Sequence, residues 1–357
     1  MPTSFAPASA LANLHLTTGA LAILALVVGV LVALSCHKMA QRSDPKIRLF
    51  LMLSVLNISL LVLIYAVPRV AGEKWALSSA LSLPPTLIYE IPAIALLSVS
   101  FLRPYRDMLP LNVVSAALGL WAVMGLRFAV VAPPDDVKTA HVMSWNVGSE
   151  KTDIHKVIEN IRRMHPDVIC LQDLSSEGRS AEIPGHLTNY HWVRQGGLAI
   201  GSQSNIEILN TAAISAGSKT DTALVASTDA FGHEMTVAAV RMTSDGSVES
   251  QQHLAQEADK LKQALHGKKG SVVMAASIDS QPSSPVYGAI LKDYLDPFDH
   301  LGSGFGYTEP AVFPIRRVDY IFAGRETIVK AASVEHIEGA SHLPVMATIG
   351  LPKLRRQ

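Results

Sequence analysis

Three long apolar runs, nearly free of charge, constrain what this chain can fold into. Leu16–Ser35 is a twenty-residue stretch without a charged residue, and Leu49–Val67 is nineteen residues interrupted only by Asn57. Leu111–Ala132 is the third and carries Arg127 near its end. A helix needs roughly 20 apolar residues to cross a bilayer core, so each run reads as a membrane span. Between the second and third, Leu83–Leu102 is apolar but holds Pro84, Pro85, Glu90 and Pro92. It reads as a kinked further span, because neighbouring helices can satisfy the backbone groups that prolines free. Residues 1–134 are thus expected to be an all-α transmembrane region of about four helices (16–35, 49–67, 83–102 and 111–132).

Charge divides the chain at the same place. The whole sequence balances 30 basic against 30 acidic residues, with 49% hydrophobic residues. Nine Lys/Arg and four Asp/Glu fall in residues 1–134, which leaves 21 basic and 26 acidic residues in 135–357, a balance of −5. Lys38, Arg42, Lys46 and Arg48 follow the first run, and Arg103 and Arg106 precede the last. The positive-inside bias places those two loops in the cytoplasm. The expectation is therefore a multi-pass protein of the cell membrane, its partner the lipid bilayer, with an extracytoplasmic C-terminal domain. A cleaved signal peptide is not expected, since no Lys or Arg precedes the first run. Cys36 and Cys170 fall in different regions, and no disulfide is expected. Glu90 carries two readings. An ionisable group within a span is by default a functional candidate, and the bland alternative is a carboxyl packed inside the bundle.

Ala132-Pro-Pro-Asp-Asp-Val137 ends the last run, since neither proline suits a helix interior. Residues 135–138 are read as a linker, 139–351 as one domain and 352–357 as a basic tail. Within the domain, period-2 apolar segments alternate with helical ones. Val168–Leu174, Leu198–Ser202 and Met235–Met242 read as strands, while Asp153–Met164 and Gln251–Leu265 read as helices. Strands outnumber helices and often adjoin without one, which favours a mixed sandwich over a parallel sheet.

Several motifs follow in a fixed order: Met143-Ser-Trp-Asn146, Pro166-Asp-Val-Ile-Cys-Leu-Gln172-Asp173, Gly197-Leu-Ala-Ile-Gly-Ser202, Ala276-Ser277-Ile-Asp279-Ser-Gln-Pro282, and Arg317-Val-Asp319-Tyr-Ile-Phe before Ser341-His342-Leu-Pro-Val345. Together they resemble the endonuclease/exonuclease/phosphatase family, specifically its membrane-anchored bacterial branch. The resemblance implies an α+β fold, a four-layered αβ-sandwich. It also implies Mg²⁺-dependent phosphoester hydrolysis, in which a metal stabilises charge at phosphorus and a carboxylate-activated water attacks. By its register, Asp173 stands where the family keeps its metal-binding Glu. Asn146, Asp279, Asp319 and His342 stand at or near catalytic positions.

The departures from that template are as informative. Ser277 replaces the Asp that activates water, Asp279 the adjacent Asn, Arg241 a strand-end His, and Ser341 the Asp before the last His. A serine hydroxyl has no accessible anion near neutral pH, and His342 loses the partner expected to raise its pKa. Asn146 could instead cap its strand, Asp319 could pair with Arg316 or Arg317, and His342 could hold a loop. Arg194, Arg241, Arg316 and Arg317 are candidates for an anion pocket, with Arg241 the proposed substrate contact.

Three functions stay open: a degenerate member that binds a phosphorylated ligand, an active Mg²⁺-dependent phosphoesterase using Asp173 and Asp279, and a membrane protein whose soluble domain is an interaction module. A small phosphoester or lipid headgroup suits the domain better than nucleic acid, whose phosphates favour a basic surface.

Overall fold

The computed structural model describes residues 44–71, 76–129, 137–148, 152–174, 182–216, 219–230, 232–268 and 270–351, with isolated positions between 29 and 41. The 16–35 run lies almost wholly outside the described residues, as do the tail 352–357 and the first half of the linker. The chain divides into two compact units. One holds residues up to 66 together with 87–124, the other 67–86 and 125 onward.

The first helices are α1 (Pro45–Ala71), α2 (Ala76–Ser82), α3 (Leu87–Val99) and α4 (Leu109–Leu118), with a 3-10 turn at Arg103–Met108 between α3 and α4. In the first unit apolar residues lie outside as well as inside: Leu51, Ile58 and Leu61 are buried in its core. Leu49, Met52, Leu53, Leu56, Leu60 and Leu63 lie exposed along one stripe of α1, while Ser54 and Asn57 are buried. The buried polar groups pair with one another: Asn57 donates to Ser115 Oγ (2.8 Å), and Asn112 donates to Ser54 Oγ (3.1 Å) and Ser100 Oγ (2.7 Å). A helix with buried hydroxyl and amide groups and an exposed stripe of leucines suits an apolar solvent.

Two of the expected spans differ from what the structure shows. Residues 83–86 break the 83–102 segment, where Pro84 and Pro85 follow one another, so that α2 ends at Ser82 and α3 starts at Leu87. The 111–132 helix stops early. One π-type turn at Gly119–Val123 closes it, Gly125 adopts φ +78°, and Arg127 pairs with Asp299 at 2.6 Å. Arg127 therefore belongs to the second unit and not to a span. Among the described residues one helix, Pro45–Arg69, is long and apolar enough to cross a membrane, or two if α2 and α3 together count as a broken span.

The second unit continues with β1 (Thr139–Asn146), α5 (Ile154–Met164), β2 (Val168–Gln172), α6 (Ile183–His186), β3 (His191–Gln195), β4 (Leu198–Ser202), β5 (Ile206–Ala216), β6 (Lys219–Ala230) and β7 (His233–Arg241). It closes with α7 (Val248–Leu265), β8 (Ser271–Ser277), α8 (Pro285–Leu291), β9 (Tyr294–Leu295), α9 (Pro297–Leu301), β10 (Asp319–Gly324), β11 (Ile328–Val334) and β12 (Val345–Gly350). Two six-stranded sheets form, ordered β11-β12-β1-β2-β4-β3 and β5-β6-β7-β8-β10-β9. Each has one central parallel pair, β1/β2 or β7/β8, and antiparallel strands around it. Each parallel pair needs a crossover, and α5 and α7 supply them.

Alternation along the strands builds the layers. Val142, Val168 and Cys170 of the first sheet join Val237, Ala239 and Ala275 of the second in one inter-sheet core. Their neighbours Met143, Trp145, Ile169 and Leu171 point outward onto Val157, Ile158 and Ile161 of α5. On the far side, Val240, Met274 and Phe322 pack beneath Leu254, Ala258 and Leu261 of α7. Side chains at successive strand positions face opposite ways, so a strand buried on both faces reads as a continuous apolar run. The result is the expected four-layered α/β/β/α sandwich. Segment 76–86 is pinned to it: Gln281 Nε2 donates to the carbonyls of Ser82 (2.9 Å) and Pro84 (2.7 Å), and the Thr86 and Tyr307 hydroxyls lie 2.8 Å apart.

Candidate functional site

The inter-sheet core turns polar where the parallel pairs end. Ser144, Asn146, Gln172 and Ser277 are buried there. Gln172 Nε2 links the sheets, donating to Ser144 Oγ (3.1 Å) and the Ala275 carbonyl (3.3 Å).

Asn146, the last residue of β1, donates from Nδ2 to Asp173 Oδ2 (2.7 Å) and Ser277 Oγ (3.0 Å), while its Oδ1 accepts from the Gly148 amide (3.0 Å). Asp173 directly follows β2 at φ +57°, a left-handed conformation that Asp tolerates better than most residues. A Cβ on Gly148 would collide with the Asp173 Cβ, so this close approach requires glycine. Arg241 ends β7 on the opposite sheet and crosses the gap, its Nε 2.7 Å from Asp173 Oδ2, with Nη1 donating to the Met242 carbonyl (2.9 Å).

Asp319 opens β10 and faces Ser277 across the ladder. Its Oδ2 is 2.7 Å from His342 Nδ1, and the amides of Val318 and Asp319 donate to Thr308 Oγ1 (3.3 Å each). The Trp145 indole N–H fixes the His342 carbonyl at 2.9 Å. His342 Nε2 lies 3.8 Å from Glu309, Glu309 lies 3.2 Å from Arg316, and Arg316 lies 3.3 Å from Asp279. Asp279 also follows its strand at positive φ, +47°. Asn146, Asp173, Arg241, Asp279, Asp319 and His342 thus gather at one end of the sandwich. A cavity of about 280 Å³ lined by His141, Met164 and Thr348 lies towards the other end of β1 and holds none of them.

The structure corrects three expectations. His342 does have a carboxylate partner, Asp319, reached from the neighbouring sheet; Ser341 instead donates to the Gly148 carbonyl (3.0 Å). Asp319 pairs with neither Arg316 nor Arg317. Arg317 is buried against Asp296 (2.7 Å), and Arg194 sits exposed on the edge strand β3, so of the four anion-pocket candidates only Arg241 and Arg316 reach the site. Glu309 was missed because it stands in no motif and reaches His342 only through the fold.

Burial alone would lower the pKa of His342, but the charge and hydrogen bond of Asp319 outweigh it and hold the imidazole above its ordinary 6.5. Burial would raise Asp319, and the His342 charge and hydrogen bond reverse this, leaving it below 3.8. A group with a raised folded pKa stabilises below its unfolded pKa and loses that contribution as pH rises; a depressed carboxyl stabilises above its unfolded pKa and loses it as pH falls. The pair therefore contributes most between 3.8 and 6.5. Thermal melts of the wild type and His342→Gln should differ most in that window and converge as pH rises through the folded pKa of His342. A gap that does not vary with pH would show that the pair is not ionic.

Magnesium requires several hard oxygen ligands in octahedral array. Here the one carboxylate at the expected metal position, Asp173, is engaged by a guanidinium and an amide N–H, and the Asn146 oxygen is turned to a backbone amide. Among the described residues no three His, Cys, Asp or Glu side chains are grouped to hold a metal ion. These residues do not fit Mg²⁺.

A two-sheet sandwich with a polar cluster at the strand ends is the architecture of a phosphoesterase-like domain. The sequence profile of the Endonuclease/Exonuclease/phosphatase family matches residues 143–342, and the chain belongs to that family. Among solved structures, humanized D. rerio TDP2 aligns at 15% identity and a TM-score of 0.51, covering 59% of this chain and 99% of that one. The human Nocturnin catalytic domain with bound sulfate aligns at 15% and 0.49 (60% and 95% covered), and the endonuclease/exonuclease/phosphatase from Bacteroides vulgatus at 14% and 0.48 (60% and 100%). At such identity the likeness speaks to the fold alone. No curated protein matches the sequence.

Proposed function

We propose that the domain binds a phosphate ester and hydrolyses it poorly or not at all. The observation that carries this reading is the Arg241–Asp173 ion pair, which occupies the carboxylate at the family's metal position. Ser277 supports it, since the hydroxyl beside Asp319 cannot serve as a base. Asp279 is a weak substitute, because Arg316 and the Ser244 amide (3.4 Å) engage its carboxylate. The Arg241 and Arg316 guanidiniums and the His342 ring, each also paired with a carboxylate, are the N–H donors that a small anion would meet here. The −5 balance of residues 135–357 favours a small phosphoester or lipid headgroup over nucleic acid.

Inorganic phosphate titrated into the full chain in detergent, with EDTA present, should bind saturably and bind more weakly to Arg316→Gln. A panel of phosphomonoesters and phosphodiesters with Mg²⁺ should show little turnover. Strong Mg²⁺-dependent turnover abolished by Asp279→Ala would establish the rearranged, active site instead.

The same proposal includes a multi-pass membrane anchor with the domain outside the cytoplasm. The outward leucine stripe of α1 and its mean hydropathy of 2.5 support anchoring. The basic residues at 103 and 106 support a cytoplasmic loop before α4. A periplasm-dependent phosphatase reporter fused after Val137 should be active and one fused after Asp107 inactive. The reverse pattern would put the domain in the cytoplasm, as a re-entrant α2–α3 pair would require. A function within the helices draws on one observation: Glu90 is fully buried against Gly119, and neither carboxylate oxygen has a hydrogen-bond partner among the described residues.

A further inference from the structure

We infer that the Arg241 guanidinium takes the place of a divalent cation in this site: it is a built-in positive charge that neutralises the carboxylate a metal would neutralise, and so keeps a metal out. This deepens the phosphate-binding reading and rests on it. Arg241, Ser277 and Asp319 stand side by side on three adjacent strands, β7, β8 and β10, in one row across the second sheet. Asp173 lies across the gap on the first sheet, and Arg241 spans that gap at 2.7 Å.

Three features make the guanidinium a fixed charge and not a passing contact. The Met242 carbonyl holds Nη1, burial leaves the side chain 19% exposed, and Asn146 restrains the same Asp173 oxygen from its own sheet. Arginine stays charged at any accessible pH, and its planar fork presents N–H donors in fixed directions. Nη1 donates to the Met242 carbonyl, and Nε lies 2.7 Å from Asp173 Oδ2 as an ion pair. A guanidinium carries five N–H donors, more than these two contacts use, so donors are left for an anionic oxygen. The replacement keeps the charge and discards the chemistry. A guanidinium attracts a phosphate oxygen, but unlike a divalent cation it cannot lower the pKa of a bound water. A domain built this way binds phosphate without the means to cleave it.

The test is Mn²⁺ uptake by the full chain in detergent, read from loss of the free-ion EPR signal. The wild type should show no saturable uptake. Arg241→Gln should take up one Mn²⁺ saturably. Arg241→His should behave like Arg241→Gln, and Arg241→Lys, which keeps the charge, like the wild type. Adding Asp173→Asn to Arg241→Gln should abolish the gain. One Mn²⁺ bound by the wild type and lost in Asp173→Asn would overturn the inference, whether or not the Arg241 variants fold. So would Arg241→Gln and Arg241→His that melt like the wild type yet bind no Mn²⁺. If the Mn²⁺ pattern holds while phosphate fails to bind in EDTA, the phosphate-binding reading falls and the cation replacement stands.

Discussion

Arg317→Met should lower the midpoint of the domain's thermal transition by about 10 °C. Arg317 is 4% exposed, with Nη2 at 2.7 Å and 2.8 Å from the two oxygens of Asp296, and its guanidinium lies over the rings of Phe298 (4.6 Å) and Tyr320 (4.8 Å). Asp296 is itself 1% exposed and accepts from the Tyr287 hydroxyl at 2.9 Å. Burial opposes the charge on Arg317, and Asp296 more than compensates, so its pKa is raised. Removing the cation alone strands a buried carboxylate, which costs about 3–5 kcal/mol. At roughly 2–4 °C per kcal/mol for a domain of this size, the shift follows. Replacing both partners, Arg317→Met with Asp296→Asn, should recover most of the loss, because exchange of a whole buried pair is close to neutral. Two additive single losses in the melting cycle would show that the pair is not coupled.

The architecture was legible because the sandwich buries both faces of its central strands. Val168–Gln172 and Ser271–Ser277 form near-continuous apolar runs, and α5 carries Ile154, Val157, Ile158 and Ile161 at helical spacing. The weaker elements escaped for physical reasons. His191–Gln195 is an edge strand whose side chains are half or fully exposed, so no hydrophobic pattern marks it. The early end of the last apolar helix was hidden by composition: the residues around Gly125 are as apolar as a span, and only the pairing of Arg127 with Asp299 shows that the chain has left the helix.

The site was legible as positions but not as partners. Each of Asn146, Asp173, Asp279, Asp319 and His342 sits at a strand end or in a strand-end loop, so a scaffold with parallel pairs brings them to one edge. Which carboxylate meets which base depends on register across the sheets. That is why Asp319 and not residue 341 serves His342, and why Glu309 and Arg316 link His342 to Asp279. Two Asp residues at positive φ mark the same edge; such strain persists where surrounding structure holds it and commonly accompanies function.

Restoring the family's chemistry should require five changes at once, and the structure identifies the fifth. Ser277→Asp supplies a base facing Asp319, Ser341→Asp adds a carboxylate before His342, Asp173→Glu restores the reach of the metal ligand, and Asp279→Asn removes a like charge beside the new base. Close carboxylates raise one another's pKa, so an unrelieved Asp279 would hold the new group protonated. Those four changes leave Arg241 in place. A guanidinium paired with residue 173 competes for the carboxylate that a metal needs, so the fourfold variant should remain nearly inactive. Adding Arg241→His frees that carboxylate and restores the strand-end residue that the family resemblance implies. Acting groups of this kind contribute about 10²–10⁴-fold each in rate, and they act as a unit. The fivefold variant should therefore gain Mg²⁺-dependent hydrolysis of bis-p-nitrophenyl phosphate by at least about 10²-fold over the wild type. The fourfold variant should gain little, and Arg241→His alone should gain metal binding without turnover. A fourfold variant as active as the fivefold one would show that Arg241 does not block the metal position.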